Sequence, residues 1–177
     1  DLLDPRKGAD LLIKALKILS NKSPELVDSA ELVVFGHASE RNPINVGFKV
    51  HYLGYLFDNL SLRMAYSACD VMVVPSRQEA FGQTASEASA CGLPVVAFAA
   101  TGLLDVVQDF KSGRLAEPFD PLSLAQSIEW VLEDNHRRSL LSDSARQRAV
   151  SLWSYSRVSE LYSNAYKTCC LSHPVSS

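Results

Sequence analysis

The segment from residue 71 to residue 98 constrains the fold of this chain more than any other. It opens with an apolar run at 71–74, which is typical of a strand buried on both faces of a parallel sheet. Pro75 ends that strand because proline cannot donate to a β-ladder. A helix is predicted from about residue 84 to residue 91, with Gly92 and Pro94 after it and a second apolar run at 95–98. This order predicts a parallel sheet that binds its ligand where the helix begins.

Two carboxylates flank the start of that predicted helix. Glu79 lies in the loop before it, and Glu87 lies in its first turns. The free N–H groups of a helix N-terminus suit a phosphate, so a diphosphate bound there would leave one carboxylate near each of its ends. Carboxylates are good acceptors for sugar hydroxyls. An alternative interpretation is that Thr84 and Glu87 form a capping box and that Glu79 is a solvated loop acid; spacing alone leaves both open.

The residues of this segment also carry a family resemblance. Glu79-Ala80-Phe81-Gly82, then Glu87-Ala88, then residues 90–97 resemble the donor-site motif of the retaining GT-B glycosyltransferases of family 4. The usual form of that motif is E-G/A-F-G-x-x-x-x-E-A-x-A-x-G-x-P-V-V. Both acids stand in register with it, which makes the resemblance far more specific than a lone glycine motif.

The resemblance implies a fold and a set of roles. The fold would be α/β, a doubly wound parallel sheet that forms the Rossmann-like C-terminal half of a GT-B enzyme. Glu79 would be the catalytic residue that contacts the transferred sugar, and Glu87 would bind the ribose of the nucleotide. Sugar and phosphate would meet the backbone at a run of four residues, Phe81, Gly82, Gln83 and Thr84.

A cation is expected at the same edge of the sheet. The family places a phosphate-binding lysine in a K-G pair, which corresponds to Lys7 here. It also has an arginine a few positions earlier, near Asp1 or Leu2, and this sequence lacks it. Arg6 is the candidate substitute. The alternative for Lys7 is a solvated charge at a helix start, where a cation is slightly unfavourable.

Further candidates follow the other predicted strands. Gly36 and Gly54 each come directly after one, and glycine lets the backbone approach a ligand closely. The family pattern puts Tyr55 and Leu56 beside the nucleotide base. Plain turns for the glycines and simple packing for Tyr55 are the alternatives.

The whole chain, 1–177, is predicted to be one donor-binding domain with C-terminal helices at about 137–170. Strands are expected at 31–35, 50–53, 70–74, 95–98 and 113–116, and helices at 9–20, 62–68, 84–91, 121–132, 137–152 and 155–170. In the family the domain opens with a strand before the D-P-R-K-G turn. Because the sequence starts at Asp1, we expect a sheet without that first strand.

Composition limits the partners of the chain. The net charge of −3 argues against nucleic acid, and the lack of an 18-residue apolar run argues against a transmembrane segment. Reduced thiols are expected at all four cysteines, which indicates a cytoplasmic location, with the inner face of the membrane as a peripheral site.

The predicted activity is glycosyl transfer with retention, from a nucleotide sugar such as a UDP- or GDP-sugar, in polysaccharide biosynthesis. The resemblance implies no cofactor and no metal. It assigns the acceptor, a sugar, a lipid-linked sugar or a polysaccharide, to an N-terminal half that this sequence does not contain, so the chain alone would bind nucleotide and transfer little sugar. The alternatives are a non-catalytic nucleotide-sugar binding module and a GT-B sugar-nucleotide 2-epimerase.

Overall fold

The computed structural model describes residues 4–36 and 43–172. Every strand pair within them is parallel, as predicted. In chain order the elements are a 3₁₀ turn (Pro5–Lys7), α1 (Ala9–Lys22), α2 (Pro24–Ser29), β1 (Glu31–Phe35), β2 (Lys49–Gly54), α3 (Asn59–Ser67), β3 (Met72–Val74), α4 (Gln83–Ala90), β4 (Val95–Phe98), α5 (Leu103–Val106), β5 (Gly113–Ala116), α6 (Pro121–Leu132), α7 (Asn135–Trp153) and α8 (Tyr155–Ser172).

Capping side chains set several helix starts. Asp120 accepts a hydrogen bond from the Leu122 N–H, and Pro121 occupies the first position of α6, so this helix begins where the sequence predicted. Helix α7 begins earlier than predicted, at Asn135, because Asp134 caps it. Helix α2 was not predicted; Pro24 is the first residue of this short helix.

The residues of β4 show how the layers form. All four are buried, and successive side chains point to opposite faces of the sheet. Val96 and Phe98 pack in one apolar cluster with α1 and α6, whereas Val95 and Ala97 pack in a second cluster with α4 and α5. Helices therefore cover both faces, which confirms the predicted doubly wound α/β architecture.

The sheet is divided in its middle. Strands β1 and β2 form one sheet, and β3, β4 and β5 form another. Between the facing edges of β1 and β3 lies a cavity of about 830 Å³, lined by 31–35 and 71–76.

Candidate functional site

Three loops converge at the carboxyl ends of β3 and β4. The backbone N–H of Arg77 donates to the Arg6 carbonyl at 2.7 Å, which joins the 3₁₀ turn to the loop after β3. The Gly102 N–H donates to the Glu79 carbonyl at 3.0 Å, and the Glu79 N–H donates to Thr101 Oγ1 at 3.1 Å. The loop that carries Glu79 is therefore hydrogen-bonded to the 3₁₀ turn at Arg6 and to the loop after β4 at Thr101 and Gly102.

A side-chain bridge reinforces the first of these junctions. The Arg77 guanidinium binds both carboxylate oxygens of Asp10, each at 2.7 Å, and donates to the Pro5 carbonyl at 2.8 Å. This pairing lowers the pKa of Asp10. Arg77 was not predicted as a site residue because its partners, Pro5 and Asp10, are distant in sequence and lie near the start of the chain.

Gly8 allows the 3₁₀ turn to approach β3. Its φ is +66°, and a Cβ built there would lie 1.9 Å from the Pro75 carbonyl oxygen. A side chain at this position would therefore be strained and would also overlap the backbone. The close approach places the preceding residue, Lys7, beside the loop after β3.

Glu79 is held by two donors. Lys7 Nζ lies 2.6 Å from its Oε1, and Ser76 Oγ donates to the same oxygen at 2.9 Å. The Glu79 side chain is 14% exposed, compared with 44% for Lys7, and Ser76 is 2% exposed. Among the described residues both side-chain bonds go to Oε1, so Oε2 can accept from a ligand. The sequence predicted Lys7 and Glu79 as separate site residues, and the structure joins them in an ion pair.

Glu87 is also held by two donors, one on each oxygen. The Tyr66 hydroxyl donates to Oε2 at 3.1 Å, and Gln83 Nε2 donates to Oε1 at 3.0 Å. The alternative interpretation as a capping box is wrong. The N-cap of α4 is Gly82, which makes no side-chain cap bond, and Thr84 lies inside the helix.

The N-terminus of α4 lies between these two carboxylates. Gly82 has a φ of +88°, and a Cβ there would approach Leu103 to 2.8 Å. The first N–H groups of a helix have no partner within it, so those that follow Gly82 are available as donors. Phe81 is half exposed, and its ring packs edge-on against Trp153 at 5.5 Å. This edge of the sheet therefore combines the uncapped start of α4, the Lys7 cation and the oriented carboxylates of Glu79 and Glu87.

The remaining predicted residues lie outside this group. Gly36, Tyr55 and Leu56 follow the two strands of the smaller sheet, whereas Glu79 and Glu87 follow β3 of the larger one. The Gly36 N–H donates to the Gly54 carbonyl at 2.7 Å, so both strands end together. The Tyr55 ring contacts that of Phe57 at 4.6 Å.

Arg6 is engaged with a neighbour. Its guanidinium and backbone N–H both bind Asp4, at 2.8 and 2.9 Å. These bonds lower the pKa of Asp4 to about 2. A phosphate would have to compete with Asp4 for Arg6, whereas Lys7 pairs with Glu79. The role of Arg6 as the second phosphate cation stays a prediction.

The part of the chain that the structure describes contains neither a metal-binding cluster nor a membrane-spanning helix. No group of three or more His, Cys, Asp and Glu side chains there could hold a metal ion. No helix in those ranges combines the length and the apolar character that crossing a membrane requires.

Comparison with known proteins identifies the family. Residues 2–148 match the family described as Glycosyl transferases group 1. The chain belongs to this family. A D-inositol 3-phosphate glycosyltransferase of Salinispora tropica is 36% identical to this group 1 chain over 159 residues, which cover 83% of the chain and 33% of the relative.

Solved structures agree on the fold. The sucrose-phosphate synthase of Thermosynechococcus elongatus has a TM-score of 0.77 and 29% identity, over 96% of this chain and 44% of that one. HepE of Anabaena, solved in complex with UDP-glucose, has a TM-score of 0.76 and 23% identity, over 94% of this chain and 46% of that one. The group 1 chain spans 33% of the Salinispora relative's length.

Proposed function

We propose that this chain is the donor-binding part of a glycosyltransferase that takes a sugar from a nucleotide sugar, such as a UDP- or GDP-sugar. The observation that carries the proposal is the open N-terminus of α4 between Glu79 and Glu87, each of which is fixed by two donors. A capping role would have turned Glu87 back onto the helix. Instead it is held by a side chain from α3 and by one from its own helix.

The diphosphate of the donor fits the start of α4. Backbone N–H groups and the positive end of the helix dipole favour an anion there. Lys7 Nζ, held at 2.6 Å from Glu79 at the same edge, supplies a full positive charge. As the bond between the anomeric carbon and the diphosphate oxygen breaks, its electron pair leaves with the diphosphate. Fixed donors at this point stabilise the departing charge without a metal ion.

Glu79 serves the sugar end of the donor. Its Oε1 is occupied by Lys7 and Ser76, which leaves Oε2 for a ligand. Positive charge builds at the anomeric carbon as the diphosphate leaves, and a carboxylate beside the sugar stabilises that charge. The acceptor oxygen then bonds to the same face of the sugar and passes its proton to the departing diphosphate oxygen, which retains the configuration.

Glu87 serves the nucleoside end, where its carboxylate accepts from the ribose hydroxyls. HepE, a structural neighbour, is crystallised with UDP-glucose and with UDP, which supports a nucleotide-sugar donor. The acceptor, a sugar, a lipid-linked sugar or a polysaccharide, belongs to the part of the relatives that this chain does not span. Curated relatives act on D-inositol 3-phosphate by name, which supports a polar acceptor with hydroxyl groups.

A thermal-shift screen tests the proposal. The chain is heated with the diphosphates of uridine, guanosine and adenosine and with their sugar conjugates. The ligands that carry one of the three bases are expected to raise the melting temperature of the chain. A ligand present at 100 times its Kd adds about 2.7 kcal/mol to the free energy of unfolding. Glu87→Gln should reduce that shift. The matched control, Glu160→Gln on exposed α8, should preserve it, and equal shifts in both variants would remove Glu87 from the site.

A further inference from the structure

Tyr66 is a buried side chain that the proposed function leaves unexplained. It lies in α3 and is 3% exposed. Its ring packs edge-on against Phe35 of β1, with ring centroids 5.6 Å apart. The one hydrogen bond of its hydroxyl within the described residues goes to Glu87 Oε2, at 3.1 Å. The sequence indicated nothing about this residue, because its partner lies in another helix.

The phenol keeps its proton in this position. Burial raises the pKa of Tyr66, and the Glu87 carboxylate raises it further. The hydroxyl therefore donates to Glu87 throughout the ordinary pH range. A carboxylate offers about four lone-pair directions, and this donor occupies one of those on Oε2.

The second donor to Glu87 is less constrained. Gln83 lies one turn earlier on the same helix and is exposed to water. Its amide can turn away, and water can take its place. Tyr66 belongs to a different element, and its ring is fixed by the packing of α3 on the sheet. The direction of the Glu87 carboxylate thus depends on Tyr66 more than on Gln83.

Resting on the proposed function, we propose that Tyr66 is the positioning residue that aims Glu87 at the ribose and so sets the preference for a ribonucleotide donor. With Tyr66 in place, each oxygen of Glu87 accepts one hydrogen bond from within the protein and keeps further lone pairs for a ligand. The adjacent 2′- and 3′-hydroxyls of a ribose can donate to the two oxygens of the Glu87 carboxylate. Without the hydroxyl, the carboxylate rotates about its last bond, and the geometry that distinguishes ribose from a deoxy sugar is lost.

The test compares two ligands in two proteins. The diphosphates of uridine, guanosine and adenosine, each with its 2′,3′-dideoxy form, are titrated by calorimetry into a complete polypeptide that contains this chain. The parent should bind one ribose form more tightly than its dideoxy partner. Tyr66→Phe keeps the ring and its packing, so folding is preserved. It should weaken binding of the ribose form about tenfold and leave the dideoxy form unchanged.

Two controls identify the cause. Tyr52→Phe removes another tyrosine hydroxyl, one that accepts from the Ile44 N–H, and should leave the ribose preference intact. In a Glu87→Ala background, which has no side-chain acceptor at position 87, Tyr66→Phe should have no further effect on the preference, because its action runs through Glu87.

The failures are distinguishable. A parent that prefers ribose, with the same preference in Tyr66→Phe, overturns the positioning role and leaves the proposed function standing. A parent that binds no nucleoside diphosphate overturns the proposed function itself. A further loss in the Glu87→Ala background would assign the effect of Tyr66 to packing and overturn the inference.

Discussion

Glu79→Gln is expected to lower the kcat of a complete transferase that contains this chain by about 10²–10³-fold. Glutamine keeps the size of the side chain but removes the negative charge that stabilises the sugar as the diphosphate leaves. It also ends the ion pair with Lys7, which lies 2.6 Å away. The Kd of the nucleoside diphosphate should stay close to that of the parent, because Glu79 contacts the sugar rather than the nucleotide.

Rate and affinity are therefore measured on the same preparation. Initial rates with the donor give kcat, and calorimetry with the nucleoside diphosphate gives Kd. Glu160→Gln, on the exposed surface of α8, is the matched control and should match the parent in both. Normal turnover by Glu79→Gln would show that Glu79 takes no part in sugar transfer. Loss of nucleotide binding would show that Glu79 contacts the nucleotide rather than the sugar.

Gly8→Ala is expected to have the largest effect on stability, about 3 kcal/mol off the free energy of unfolding. The left-handed φ of +66° is strained for alanine, and the new Cβ would lie 1.9 Å from the Pro75 carbonyl oxygen. The 3₁₀ turn must then move away from the end of β3. Lys7 moves with it, so binding of the nucleoside diphosphate should weaken as well.

The chain offers a matched control for this variant. Gly54 has nearly the same φ, +67°, and nothing lies within 4 Å of a Cβ built there. Gly54→Ala thus introduces the backbone strain without the overlap, and it should lower the free energy of unfolding by about 1 kcal/mol. Urea unfolding followed by circular dichroism compares the two. Equal losses would mean that the contact between Gly8 and Pro75 contributes nothing to stability.

Sequence alone predicted the parts of the fold that depend on local pattern. The apolar run at 95–98 indicated a strand, and all four of its residues are buried in β4. The run at 71–74, predicted to be buried on both faces, forms β3, in which only Val74 is fully buried. The pair Asp120 and Pro121 fixed the start of α6, because both act on the helix that they begin. The acids at 79 and 87 were found in the same way, as neighbours of one helix start.

The contacts that orient those acids could not be predicted, because they join distant parts of the chain. Lys7 and Glu79 are 72 positions apart, and Tyr66 and Glu87 are 21 apart. The T-x-x-E pattern favoured a local partner for Glu87, and the tertiary donor from α3 took its place. For Arg77 no local pattern existed, since its partner Asp10 becomes a neighbour only when α1 packs beside β3.

Hydrogen–deuterium exchange tests the central claim that the edge beside α4 binds the donor. A complete polypeptide containing this chain is labelled with and without the nucleoside diphosphate selected by the thermal-shift screen. We expect slower exchange in peptides that cover 79–90 and 4–12, because the ligand binds the first N–H groups of α4 and draws in Lys7. Peptides from α6 (Pro121–Leu132) should be unchanged. Protection confined to other segments, or none at saturating ligand, would contradict the assignment of this edge as the donor site.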